Sequence, residues 1–440
     1  MKETGGADTD LIDTDVLIVG GGLVGTSLAI ALSASNLRVT LVEGTQLQVD
    51  TGKAPPPGHD ERNLALARAS VNALTALGVW PHVAARATAI RGVRISRRGE
   101  FGVARFDAPA HGVDEFGATL PASELGRGLF LRLAECATLQ RHAPATLAAL
   151  ESHADGVRAR LTTPAGELRL HARLVVGADG TQSFVRRAAG IDVEEVDYAQ
   201  TAFVCTAASQ RAIDGIAYER FTATGPVAVL PLADRRCGIV LTVPTGDAAR
   251  VGALSDAEFI ELLHERFGYR LGRFSRLGRR VSYPLRRVMA RRLVGARTVV
   301  VGNAAQTLHP IGAQGFNLGL RDAITLAEML LDHRGDVDVG DAAMLARYAE
   351  RRREDREGTA AFSDGLVRWT GSEGLPLKLM RSFGLVALDR IEPLQEWFVR
   401  RGMGFRGSVP RLALAAADRT ASLDSTASAA ARGGSKDSRR

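Results

Sequence analysis

Four apolar residues, Val16-Leu-Ile-Val19, run straight into Gly20-x-Gly22-x-x-Gly25, and this junction constrains the fold more than any other stretch of the chain. A short continuous apolar run suits a strand buried on both faces of a parallel sheet. An apolar, helix-like segment, Thr26 to Ala34, comes next, then a second strand, Arg38-Val-Thr-Leu-Val42, ending at Glu43. Strand, glycine turn, helix and strand make a βαβ unit. Gly20 permits the tight turn, Gly22 lets a pyrophosphate approach the backbone, and Gly25 lets the helix pack closely on the strand. The helix N-terminus offers free N–H groups and partial positive charge to phosphates. Glu43, 23 residues beyond Gly20, stands where a carboxylate can accept from ribose hydroxyls. The pattern fits a dinucleotide without distinguishing FAD from NAD.

Two further apolar strands, Leu174-Val-Val176 and Thr298-Val-Val-Val301, lie far along the chain. Between them, residues 91–125 and 198–242 alternate in short stretches broken by Gly and Pro, as antiparallel strands do. Arg62 to Gly78, Leu125 to Leu139, Asn317 to Leu331 and most of residues 340–406 read as helix, and residues 155–176 as a hairpin feeding a strand. Ser255 with Glu258 three residues later opens an amphipathic helix to Phe267 through a capping box. The fold class that follows is α/β. It has a Rossmann-like three-layer nucleotide-binding domain, discontinuous over 14–90, 125–197 and 297–345, with a mixed-sheet domain inserted at 91–124 and 198–296. A helical C-terminal part spans 346–410. Residues 1–13 read as a disordered lead-in and 411–440, rich in Ala, Ser, Asp and Arg, as a disordered tail.

A second motif, Val175-Val-Gly-Ala-Asp179-Gly180-Thr-Gln-Ser183-Phe-Val-Arg186, is by itself only a strand entering a turn. The third decides the matter: Val301-Gly302-Asn303-Ala304-Ala305-Gln306-Thr307-Leu308-His309-Pro310-Ile-Gly312-Ala-Gln314-Gly315-Phe316-Asn317-Leu-Gly319-Leu-Arg-Asp322. With Asp60-x-Arg62, Ala65-Leu, Gly78-Val-Trp80 and Tyr218-Glu-Arg-Phe-Thr222…Gly225-Pro, the chain resembles the class A flavoprotein aromatic monooxygenases over roughly residues 14–405. Within that class it is most similar to the ubiquinone-biosynthesis hydroxylases, in particular those of 2-polyprenyl-6-methoxyphenol.

The resemblance implies non-covalent FAD, with Gly20, Gly22, Gly25 and Glu43 on its ADP part. It places Arg62 and Arg127 beside the phosphates, and Asp179 and Gly180 in support of both FAD and a pyridine nucleotide. It puts Asn303 at the ribityl chain, and Gly315, Phe316 and Asn317 against the isoalloxazine. Relatives of this class usually carry Asp where this chain has Asn303; an amide still accepts, without charge assistance. The implied chemistry is ring hydroxylation with O2 as co-substrate. Electrons would come from NAD(P)H or a protein donor, since no second glycine fingerprint follows. The flavin carries the hard step, so no catalytic side chain is assigned; the loop with Pro310 and Gly315 supports it. A prenyl-lipid flavin reductase and a non-catalytic prenyl-binding escort on the same fold stand as alternatives.

His309 reads as a space-filling, locally bonded ring rather than a base. Glu219 and Arg220 read either as facing substrate or as members of a cross-strand ion pair. Residues 375–405 set Leu379, Phe383, Val386, Trp397 and Phe398 among Arg381, Arg390, Arg400 and Arg401. They offer two readings, packing on the main body or a membrane-surface face.

The net charge is +7, with four lysines among 56 basic residues, and the charge is scattered rather than striped. This argues against a nucleic-acid partner. The cysteines Cys136, Cys205 and Cys237 form no metal-ligand spacing and no disulfide framework, so no metal is expected. With no signal-like or membrane-spanning apolar run, the expected location is cytoplasmic, peripheral on the inner membrane where its substrate lies. The expected partners are a membrane-resident prenylated phenol and a bilayer or quinone-biosynthesis complex.

Overall fold

A computed structural model describes residues 11–46, 62–332, 338–371 and 374–416. Most of the expected lead-in, the polar loop with Asp60, and residues 417–440 of the expected tail lie outside the described residues.

The strand Ile12–Val19 is the centre of an eight-stranded sheet. It pairs in parallel with Val39–Val42 on one side and Gly166–Gly177 on the other, Val16 standing opposite Val39 and Leu174. Thr298–Val300 continues the parallel order beyond Gly166–Gly177, and Gln140–His142 beyond Val39–Val42. The sequence separations are bridged by helices on one face, chiefly Leu23–Leu32, Ala122–Ala134 and Gln314–Asp332. Val16, Ile18, Leu41, Leu174 and Val176 point to them and form the main core. The opposite face, with Leu17, Val19, Val42 and Val175, is covered by the antiparallel strands Thr146–Ser152 and Val157–Thr163. Period-two alternation explains how one strand supplies both cores. The α/β, three-layer expectation holds.

A nine-stranded mixed sheet stands beside it. Its long strand Val193–Ser209 pairs antiparallel with Val281–Ala290 and Arg236–Pro244. The order then runs through Val227–Pro231 and Ile216–Phe221 to Gly92–Arg97, the last pair being parallel. The helix Asp256–Phe267 covers its outer face and begins with the expected Ser255–Glu258 capping box.

Arg62 to Gly78 is not one helix. Asn63–Ala67 is a strand, paired antiparallel with Gly117–Pro121, and the helix runs only over Arg68–Ala76. Pairing with a partner fifty residues away overrides the local helical pattern. The segment boundaries also need redrawing. The 197/198 cut falls inside Val193–Ser209, and Gly117–Pro121 joins a sheet with Asn63–Ala67 across the supposed division. The start of the expected tail is ordered as well: Arg411–Ala413 form a 3-10 turn, with Ala413 buried and its carbonyl accepting from Asn72 Nδ2 at 3.0 Å.

Candidate functional site

One cavity of about 1340 Å³ lies between the two sheets. That exceeds the roughly 300–1000 Å³ of a typical small-molecule pocket, so there is room for a cofactor and a second molecule. Ten of the twelve residues expected at the cofactor line it: Gly20, Gly22, Glu43, Arg62, Asp179, Gly180, Asn303, Gly315, Phe316 and Asn317.

The glycine turn is built as its spacing requires. Gly20 has φ +109°, and a Cβ there would lie 2.4 Å from the Ala178 carbonyl oxygen. Gly25 is under the helix rather than in the cavity; a Cβ would lie 1.9 Å from the Gly20 carbonyl oxygen, so its role is close packing. A Cβ on Gly22 would meet no atom within 4 Å and would project into open space. The first turn of Leu23–Leu32 has no side-chain cap, which leaves its N–H groups free for an anion. Glu43 is part of the turn: its Oε2 accepts from Gly21 N at 2.6 Å and its Oε1 from Thr45 N at 2.9 Å.

Asp179 is engaged with the protein. It accepts from Ser183 Oγ at 2.5 Å and from Phe184 N and Val185 N at 2.7 and 3.0 Å, so it caps the helix Phe184–Ala188. Arg186 then reaches Ala304 O at 2.8 Å and Thr181 O at 2.9 Å, tying the second motif to the third. Arg127 does not line the cavity; on Ala122–Ala134 its Nε donates to Glu124 at 3.1 Å. Arg62 faces the cavity with its guanidinium over the Tyr283 ring, 5.9 Å from the centroid.

The third motif makes two short turns and then a helix that starts at Gln314, a turn earlier than its apolar periodicity suggests. Gly315, Phe316 and Asn317 are therefore in its first turn, with the positive helix end beside the cavity. Asn303 is exposed and lines the cavity with no hydrogen bond to a described residue, an amide open to a ligand hydroxyl. The Asn317 side chain is occupied. It accepts from Ala67 N at 2.9 Å and Ser70 Oγ at 2.7 Å, and donates to Ala65 O at 2.8 Å. His309 is buried and bonded locally, accepting from Ile311 N at 3.2 Å with Nε2 3.2 Å from Gln200 Oε1. Burial pushes its pKa down to about 4, so the ring is neutral.

Behind this loop lies a charged cluster that sequence reasoning missed. Asp322, fully buried, accepts from Gly302 N at 3.1 Å, from Gln306 Nε2 and from Arg352 Nε at 2.8 Å. Arg352 also reaches Asp355, which takes Arg321 at 2.7 Å. Desolvation opposes ionisation of Asp355, but Arg321 and Arg352 outweigh it and hold the carboxyl down to about 2. The run Glu350-Arg-Arg-Arg-Glu-Asp-Arg-Glu357 looks like a solvated helix face; only the spacing of 352, 355, 356 and 359 hints at a buried side.

Away from the glycine turn the cavity is apolar, lined by Phe106, Leu230, Phe362, Leu385 and Phe398. Trp397 lines it too and is 47 % exposed, so the cavity reaches the surface there. The C-terminal helices Leu375–Arg390 and Glu392–Gly402 divide between both expected roles. Phe398 stacks on Phe106 at 5.1 Å and Arg381 is buried against Glu100 at 2.7 Å, whereas Leu379, Phe383, Val386 and Trp397 are exposed. No described helix is long and apolar enough to cross a membrane.

A profile of the family described as "FAD binding domain" matches residues 13–363. The chain belongs to that family. It is 37% identical over 402 residues to ubiquinone hydroxylase UbiL of Rhodospirillum rubrum, covering 91% of each chain. To 3-demethoxyubiquinol 3-hydroxylase of Escherichia coli it is 31% identical, over 89% of this chain and 98% of the relative. Among solved structures, p-nitrophenol 4-monooxygenase PnpA of Pseudomonas putida matches with a TM-score of 0.72 at 18% identity, over 90% of this chain and 99% of that one. The reading of an FAD-dependent monooxygenase of the ubiquinone-hydroxylase kind, made from three motifs, is borne out.

Proposed function

We propose that this FAD-dependent monooxygenase hydroxylates the ring of a polyprenylated (methoxy)phenol in ubiquinone biosynthesis. The observation that carries the reading is the single cavity joining the glycine turn to an apolar end that surfaces at Trp397. FAD, when bound, supplies the redox chemistry, taking electrons from NAD(P)H or a protein donor and passing them to O2. The chain's residues bind, orient and dry the site. Gly20, Gly22 and the first turn of Leu23–Leu32 hold the pyrophosphate, and Glu43 the ribose. Arg62 faces the phosphates, and Asn303 the ribityl chain. The first turn of Gln314–Asp332, at Gly315 to Asn317, turns its positive end to the ring system, where negative charge develops on reduction. Asp179 and Gly180 shape the floor.

The prenyl tail fits the apolar end. Leu379, Phe383, Val386 and Trp397, exposed beside Arg390, Arg400 and Arg401, suit a peripheral seat on an anionic bilayer at the cytoplasmic face, where such a substrate resides. Tail burial contributes about 0.8 kcal/mol per CH2, so catalytic efficiency should rise with prenyl length. Reduced enzyme given 18O2 and 2-methoxyphenols of increasing tail length tests this. A product carrying one labelled ring hydroxyl is expected, formed more efficiently with longer tails. No label in the product would favour a reductase, and a preference for a small charged benzoate would exclude the quinone-pathway substrate.

A further inference from the structure

Glu219 is a carboxylate in the wall of the apolar end. It lies on Ile216–Phe221, where Ala217, Tyr218, Glu219 and Phe221 line the cavity and Ala217, Glu219 and Phe221 share one face of the strand. Its cross-strand neighbours are Ile95 and Ala228, and Leu230, Ala202, Val204 and Val240 line the same sheet face. The cross-strand ion pair weighed from sequence does not form, and no described residue hydrogen-bonds to the Glu219 side chain. A carboxyl set among apolar residues without a partner carries a desolvation cost, and such groups concentrate where a ligand completes them.

We propose that Glu219 is the catalytic base that takes the proton of the substrate's ring hydroxyl. The inference rests on the ring-hydroxylase reading and deepens it. The substrate O–H bond breaks, its electron pair stays on the phenolic oxygen, and the proton passes to a Glu219 oxygen. With two electrons from the donor and two protons from donor and solvent, O2 gives one oxygen to the electron-rich ring as a hydroxyl group and the other leaves as hydroxide. As the ring regains aromaticity its C–H proton passes to that hydroxide, making water, and Glu219 returns its proton to the phenolic oxygen. A general base works best with a pKa near the operating pH. Burial pushes Glu219 up to about 7, so the carboxyl is ionised above that pH and protonated below it.

The charged neighbours are accounted for. On the adjoining strand Gly92–Arg97, Arg94 pairs with Asp107 at 2.6 Å and Arg97 with Glu100 at 2.8 Å; Val227–Pro231 carries no ionisable side chain. On its own strand Tyr218 turns to the opposite face, edge-on to Phe267 at 5.6 Å with Arg270 6.0 Å from its ring centroid. Arg220, also on that face, lies 3.5 Å from Ser96 Oγ. Across the cavity the ionisable lining includes Arg62, Tyr283, Arg286 and the Arg381–Glu100 pair. The same carboxylate selects a neutral phenol and repels a benzoate.

The test uses FAD-loaded enzyme, chemically reduced and mixed with O2 in single turnovers, with a short-prenyl 2-methoxyphenol as probe. In wild type the product rate should rise with pH through about 7 and then level. Glu219→Gln should lose that limb and fall on the order of 100-fold, as loss of a general base does, with the O2 appearing as hydrogen peroxide. A fluorinated phenol, already ionised at neutral pH, should restore most of the Glu219→Gln rate, whereas a merely structural defect would not be rescued. Oxidised wild type, titrated by flavin absorbance, should prefer the phenol to its methyl ether by about fivefold, roughly one hydrogen bond, and Glu219→Leu, which has no acceptor, should not. Product from wild type tests the ring-hydroxylase reading; the limb, rescue and ether preference test Glu219. A Glu219→Gln enzyme that keeps the pH limb and a rate within about threefold of wild type would overturn the assignment. If Glu219→Gln fails to hold FAD, Glu219→Asp with the same phenol pair decides: no rescue by the ionised phenol overturns it equally.

Discussion

Asn317→Ala removes a clamp rather than a ligand. The amide holds two neighbouring elements: its oxygen takes the Ala67 N–H and the Ser70 hydroxyl, and its nitrogen gives to the Ala65 carbonyl. Asn317 is 2 % exposed, so these groups have little water to fall back on. A net hydrogen bond contributes about 1 kcal/mol, and a buried polar group left without a partner costs about 1–3 kcal/mol. Three bonds therefore set a loss of about 3 kcal/mol, with the open cavity beside Ala65 letting one water in and keeping the figure from the top of that range. Urea titration of the FAD-free protein, followed by tryptophan fluorescence, reads the loss as a lower midpoint at unchanged slope. Asn317→Asp keeps the acceptor and sets a carboxylate against the Ala65 carbonyl, so it should do no better than alanine. Flavin affinity should drop in both variants, because Asn63–Ala67 and the start of Gln314–Asp332 both line the cavity. An Asn317→Ala midpoint within about 0.5 kcal/mol of wild type would refute the clamp.

Gly22→Val should leave the FAD-free fold intact, since its side chain meets only open space, yet abolish flavin retention on purification; Gly25→Ala, at 1.9 Å from a backbone oxygen, should instead reduce soluble yield. Asn303→Ala should weaken FAD by about 1 kcal/mol, read by titrating the flavin-free protein. Acid precipitation should release all yellow colour to the supernatant, since binding is non-covalent; colour kept in the pellet would contradict it. The Asp355 pKa is depressed from 3.8 to about 2, so its stabilisation is whole above about 4 and drains as pH falls towards 2; Asp355→Asn should flatten that part of an acid-unfolding curve. Binding to anionic vesicles should fall with salt and with Phe383→Ser, and a protein that ignores such vesicles at low salt would exclude direct lipid contact.

The parts of the site built from contiguous chemistry were legible in the residues. The glycine turn, the acid at Glu43, the Asp179-Gly180 turn and the run from Val301 to Asn317 each join backbone geometry to a local pattern. Tertiary pairing was not legible. Asn63–Ala67 carries a helical pattern and becomes a strand because Gly117–Pro121 lies alongside. Glu219 stayed open between a substrate-facing group and half of an ion pair because sequence shows its neighbour Arg220 and not which side of the strand meets the cavity. The residues 350–357 look solvated because only the spacing of 352, 355, 356 and 359 marks which side of a charged helix meets Asp322.

The Asp322–Arg352–Asp355 cluster has a consequence for how such a protein can diverge. Removing one member strands an uncompensated charge in a dry interior, whereas replacing the set with apolar side chains is tolerated far better. The three positions are thus coupled and change by concerted replacement or not at all. Because Asp322 also holds Gly302 N and Gln306, that coupling extends to the loop bearing Asn303. Drift at Arg352 and Asp355 on the helix Ala342–Gly371, two positions that do not themselves line the cavity, is thereby restrained by the cofactor site, and a lineage that rewrote this part of the helix would have to find a new support for the loop at the same time.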